Sequence, residues 1–129
     1  MNWNMVFAIA LGGGIGAAAR HLVSTAIQEA TRAPLFPWGI LAVNLTGCLL
    51  IGVLAQLSES TTLLSPTTRA LLITGVLGGY TTYSTFALQS WDLAAGGFNW
   101  MAIANVTLHV VLGLLAVGLG RMVVARLGA

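Results

Sequence analysis

Lysine is absent from this chain, and other charge is scarce: five arginines, two aspartates or glutamates short of that number in acids, and 6% charged residues over 129 positions. Soluble domains carry roughly a quarter charged residues. With 57% hydrophobic residues, a core of this size would leave large apolar patches in water, so a soluble globular fold is excluded. The arginines, at positions 20, 32, 69, 121 and 126, form no cluster, which argues against a nucleic-acid surface. A single cysteine, Cys48, rules out an intrachain disulfide and with it a stapled secreted scaffold. No basic segment precedes the first apolar run, so insertion is expected to rest on the spans themselves rather than on a cleaved signal peptide.

What is present is apolar sequence in membrane-sized lengths. A bilayer-crossing helix needs about 20 mostly apolar residues. Four stretches qualify, at about Met5 to Ile27, Trp38 to Leu57, Ala70 to Trp91 and Trp100 to Gly120, and predict an all-α membrane protein with a single four-span domain. Short connectors separate them, two of them holding the prolines Pro34, Pro37 and Pro66; Ser65-Pro66 reads as an N-cap followed by proline at the first helical position. Trp3, Trp38, Trp91 and Trp100 all fall at predicted span ends, where an indole can lie among lipid headgroups. Four spans place both termini on one side. Arg69, Arg121 and Arg126 then lie on that side and Arg32, with or without Arg20, on the other, a near-balance that would permit insertion in both orientations and an antiparallel homodimer.

Polar residues within these spans are the candidates for function. Gly12-x-Gly14-x-x-Ala17 is a degenerate dinucleotide fingerprint, but it lacks the strand and βαβ unit that the motif requires. Gly12 and Gly16 instead share a helical face on which another backbone can approach closely. Arg20 follows one turn later, as a snorkelling anchor or as an electropositive group that draws anions into a vestibule. Asn44, at membrane depth in the second span, is either interhelical glue or a donor to a permeating anion. Asn44-Leu-Thr46 and Asn105-Val-Thr107 match the glycosylation sequon by accident, given their depth. Asn105, His109 and Gly113 lie four apart on one face of the fourth span, where the histidine reads as either a packed ring or an ion ligand. His21 and His109 lack companions at metal-ligand spacing. Glu29, Glu59 and Asp92 lie at span ends or in connectors, which leaves nucleophilic catalysis without an acid partner.

The segment Gly75-Val-Leu-Gly78-Gly79-Tyr80-Thr81-Thr82-Tyr83-Ser84-Thr85-Phe86 carries the most information. Two glycines followed by threonines and aromatics make a poor helix, so the third span is expected to break at mid-membrane. A backbone broken at that depth must be buried in protein or line an ion site. The alternative is a kinked helix packed through Gly75 and Gly79.

Together, Gly12-x-x-x-Gly16-x-x-x-Arg20, Asn44-x-x-Gly47 and Gly75-x-x-Gly78-Gly79-x-Thr81-Thr82-Tyr83-Ser84-Thr85-Phe86 resemble the Fluc/CrcB fluoride channels over essentially the whole chain. The resemblance implies an antiparallel dual-topology homodimer in the cytoplasmic membrane, with two fluoride pores and a structural sodium ion at the dimer interface. By position, the sodium ligands would be the backbone carbonyls of Gly78 and Thr81. Asn44 would hydrogen-bond fluoride, Arg20 would recruit anions, and Tyr83 and Phe86 would present positive ring edges. Ser84, Thr85 and Asn105 could add donors, since a tightly hydrated ion needs several close ones to replace its water. This sequence departs from the family pattern at Tyr83, where phenylalanine is usual, at Gln89, commonly glutamate, and at His109, commonly serine. The competing reading is a small four-span multidrug or cation antiporter, which would need an acid inside the membrane; a small assembly subunit would account for the glycines but not for the polar centre of the third span.

Overall fold

The computed structural model describes residues 2–128 and is all-helical among them. Three helices are long and apolar enough to cross a membrane: α1 (Trp3–Thr31), α2 (Trp38–Ser60) and α6 (Asn99–Arg126). Between α2 and α6 lies a segmented arm. It begins with α3 (Pro66–Arg69), continues as a π-helix (Ala70–Leu77), then α4 (Gly78–Tyr80), and after Thr81 and Thr82 resumes as α5 (Tyr83–Ala95). Local chemistry explains the starts and stops. The Asn2 side chain accepts from the Met5 N–H, Ser65 caps α3 by accepting from the Thr68 N–H with Pro66 at the first turn, and Arg32 closes α1 in the left-handed region at φ 48°, as termini need partners for their orphan amides and carbonyls.

Close backbone approach determines how the helices pack. A Cβ at Gly12 would stand 2.6 Å from the Leu71 carbonyl oxygen, one at Gly16 would overlap the Val76 carbonyl, and one at Gly79 would overlap the Gly13 carbonyl. The glycine face read from the sequence of the first span therefore meets the arm through backbone, as small residues permit in lipid. A second such contact joins α2 to α6, with Gly52 against the Val117 carbonyl and Gly120 against that of Leu49. A third sets Gly39 on Ser24 near the connector between α1 and α2.

These contacts set direction. Along α2 and α6, Cys48 lies near Gly113, Gly52 near Val117, and Glu59 pairs with Arg121. The two helices are therefore parallel, and the arm between them runs from the Glu59–Arg121 end of the bundle back to the opposite end. It also runs parallel to α1, because Gly12 meets Leu71 while Gly16 meets Val76 and Tyr80.

The disturbance in the arm lies elsewhere than the glycine pair suggests. Gly78 and Gly79 remain helical, because Gly79 is needed against Gly13, while Thr81 (φ −84°, ψ 157°) and Thr82 (φ −150°, ψ 115°) are extended. The residues before the glycines, read from the sequence as ordinary helix, are π-helical, and the Gly78 N–H reaches back to the carbonyls of Ile73 and Gly75. π-helical turns are rare and recur at functional sites.

Arg121 makes a bidentate pair with Glu59, at 2.9 and 2.8 Å, and a further bond to Gln56 at 3.3 Å. Its side chain and that of Glu59 are 41% and 51% exposed, and exposed pairs contribute little. Glu59→Gln is expected to change the melting temperature by less than about 2 °C, as measured by thermal unfolding in detergent. A larger drop would show that this pair holds α2 and α6 together.

Candidate functional site

The extended residues at the break expose backbone groups that a continuous helix would satisfy, and Asn44 takes them up. Its Oδ1 accepts from the Thr82 N–H at 2.9 Å and its Nδ2 donates to the Thr82 carbonyl at 3.1 Å. The amide thus pairs with Thr82 as a neighbouring peptide would in a sheet, which stabilises a polar group otherwise costly to bury. Thr82 is 7% exposed. Its hydroxyl caps α5 by accepting from the Thr85 N–H at 3.3 Å, and it lies 3.1 Å from the Thr85 hydroxyl and 3.3 Å from that of Ser84.

This rearrangement leaves the carbonyls of residues 78–81 without their helical donors. In an unbroken helix the Gly78 carbonyl accepts from residue 82 and the Thr81 carbonyl from residue 85. Here the Thr82 N–H goes to Asn44 and the Thr85 N–H to Thr82. Gly78 is exposed and Thr81 half-buried.

A chamber of about 360 Å³ gathers most of the residues singled out from the sequence: Asn44, Gly78, Thr81, Tyr83, Phe86 and His109. Phe86 is the centre of an aromatic row, its ring 5.5 Å from that of Tyr83 and 4.3 Å from the imidazole of His109. The remaining candidates lie elsewhere. Thr85 faces a larger open vestibule, about 690 Å³, at the connector end of the bundle, together with Gln28, Glu29, Gln89 and Asp92. Ser84 and Arg20 line neither space. Arg20 has no hydrogen-bond or ion-pair partner among the described residues, where the one salt bridge is Arg121–Glu59.

Asn105 lines neither space and is fully buried, at 0% exposure. Its Nδ2 donates to Ser90 Oγ at 2.9 Å, and Ser90 in turn donates to the Phe86 carbonyl at 2.8 Å. Its Oδ1 has no hydrogen-bond partner among the described residues, and neither has Gln89 Oε1 or His109 Nε2. Ser90 thus ties Asn105 to α5, next in sequence to Gln89, whose side chain lines the vestibule. The sequence reading missed three contributors. Thr82 was one threonine among several, and nothing local marked it as the residue Asn44 would hold. Ser90 and Gln28 fall at the ends of the expected third and first spans; Gln28 ties the connector by donating to the carbonyls of Ala33 (2.8 Å) and Phe36 (3.1 Å) and accepting from the Gly39 N–H (3.1 Å). A lone long amide next to a proline-containing connector was the available signal.

Fold and site together define a multi-pass helical membrane protein with a small, largely apolar chamber, lined by a few neutral polar groups, beside a helix interruption. Residues 7–121 match the family described as CrcB-like protein, Camphor Resistance (CrcB), and the chain belongs to that family. It is 41% identical over 123 residues, 95% of each chain, to the fluoride-specific ion channel FluC of Sulfurovum sp.. Identity is 44% over 122 residues to the protein of the same name from Sorangium cellulosum, covering 94% of each. With that of Parabacteroides distasonis it is 45% over 115 residues, covering 89% of this chain and 88% of the other.

Proposed function

We propose that the chain is a fluoride-selective ion channel, not an enzyme, and that it lets fluoride leave the cell passively through the cytoplasmic membrane, so lowering its toxicity. Family membership and the similar relatives support the class. The observation that carries the reading at the level of residues is the charge of the chamber: an amide, hydroxyls, aromatic rings and an imidazole line it among aliphatic side chains, with no carboxylate among the lining residues. A proton-coupled cation antiporter needs an acid there. Glu29 and Asp92 lie in the outer vestibule and Glu59 at the far end of the bundle. An inside-negative potential pushes an anion outward by about 2.3 kcal/mol per charge per 100 mV.

In this reading the arm over residues 66–95 is a fourth crossing, broken at Thr81–Thr82, because α2 and α6 are parallel and the chain joining them has to return across the bilayer. Two copies assemble in opposite orientations. Support comes from Tyr83, 80% exposed beside the break, and from the exposed Gly78; polar backbone next to an interruption is tolerated in a membrane only under protein cover. The carbonyls of Gly78 and Thr81 from each copy would hold a sodium ion, whose charge offsets the cost of carbonyls without donors. Asn44 keeps one amide hydrogen beyond the one given to Thr82, and with Tyr83, Phe86 and His109 it lines the ion's route; Ser84, Thr85 and Asn105 serve it from the adjoining polar track. Arg20, unpaired, raises the local anion concentration.

Purified protein in liposomes is expected to release fluoride under an imposed potential and to retain chloride, as followed with ion-selective electrodes. Folded protein that passes no fluoride, or passes both halides equally, would refute the proposal.

A further inference from the structure

His109 is used in a way that general pore lining does not explain. Its Nδ1 lies 2.9 Å from the Asn105 backbone carbonyl. A carbonyl only accepts, so Nδ1 carries a hydrogen and the ring orientation is set. Stacking on Phe86 at 4.3 Å holds the ring from one side. The other nitrogen, Nε2, is buried and has no hydrogen-bond partner among the described residues. With Nδ1 protonated, a neutral ring offers a lone pair at Nε2, which repels an anion; only the imidazolium offers a donor there.

The groups around it give that imidazolium no counter-charge. The titratable residues lining the same chamber are Cys48 from α2 and Tyr83 from α5, and among the described residues no Asp, Glu or Arg lines it from α2, the π-helix, α4, α5 or α6. A cation in such a place is expensive unless an anion accompanies it. We propose that His109 is a proton-dependent fluoride ligand: Nε2 takes a proton from solvent as fluoride enters the chamber, and the ion binds as the partner of the resulting N–H. No bond of the ion is made or broken beyond this hydrogen bond, and the proton returns to solvent when the ion leaves. This rests on the fluoride-channel reading and adds to it that binding is linked to one proton per site.

The test measures protons as well as ions. Fluoride added to weakly buffered, folded protein in detergent is expected to draw up to one proton per chain from solution, registered by a pH dye, while chloride draws none. Apparent fluoride affinity by calorimetry should fall by up to about tenfold for each unit of pH above the imidazole's titration. His109→Gln keeps a donor that cannot titrate and His109→Ser removes the ring; both should abolish proton uptake and flatten the pH profile of flux, whatever their absolute rates. Protein-free vesicles correct for leak of the neutral acid through lipid. Wild type that binds or passes fluoride without proton uptake, or a pH profile that persists in both variants, would overturn the His109 assignment and leave the channel reading standing. Folded wild type that neither binds nor passes fluoride would overturn both.

Discussion

Asn44→Leu is expected to reduce fluoride flux by about two orders of magnitude or more and to lower stability. Leucine fills a similar volume but neither accepts from the Thr82 N–H nor donates to the Thr82 carbonyl, two bonds of 2.9 and 3.1 Å in the native protein. Leaving one buried polar group unpaired costs about 1–3 kcal/mol, so two give ~2–6 kcal/mol. Even ~3 kcal/mol lost from the ion-binding conformation corresponds to about a hundredfold. Asn44→Asp distinguishes the clamp from a simple pore donor. Its carboxylate still accepts from Thr82 but cannot donate to the carbonyl and brings an anion to an anion's route, so its flux should fall at least as far. Wild-type flux together with wild-type unfolding in Asn44→Leu would show that the Thr82 clamp is dispensable.

Gly16→Ala, and more severely Gly79→Val, should prevent α1 from seating on the arm. At Gly16 an added methyl overlaps the Val76 carbonyl and stands 2.8 Å from the Tyr80 nitrogen, and at Gly79 it overlaps the Gly13 carbonyl. Backbone cannot step aside as a side-chain end can, so the helices must separate. Overpacking of this sort costs about 1–3 kcal/mol, and because Thr81–Thr82 follows directly on Gly79, the displacement carries into the chamber and flux should be lost as well. Gly14→Ala is the matched control: a methyl there meets nothing within 4 Å, and alanine favours helix by about 1 kcal/mol over glycine. Thermal unfolding and flux of the three variants settle the matter. Loss in Gly14→Ala equal to that in Gly16→Ala would mean that the contact of α1 with the arm is not what the glycines serve.

Much of the architecture was legible because it depends on local composition. Apolar length and scarce charge identify the lipid environment from about Met5 to Gly120, and tryptophans mark the ends of the runs. Gly12 and Gly16, four apart, announced a close-packed face before any partner was known, and glycine with threonine in Gly78–Thr85 announced an irregular backbone. Less legible was the location of that irregularity. Within that stretch contact with Gly13 keeps Gly78 and Gly79 helical and the extended residues are Thr81 and Thr82, since a tertiary contact outweighs a propensity difference of about 1 kcal/mol.

The same division runs through the site. Composition and spacing alone determined that this is a membrane protein whose polar groups within the apolar runs are few and mostly neutral, because burying charge in lipid is too costly to leave to chance. Tertiary structure alone decided which of those groups act together. Asn44 lies 38 positions from Thr82, and no sequence pattern pairs an amide with a particular peptide across that distance. Nor could spacing tell that Asn105 turns its side chain to Ser90 while its backbone carbonyl holds His109. Hydrogen bonds are satisfied by whatever lies within about 3 Å in space, and that is settled by helix packing rather than by order along the chain.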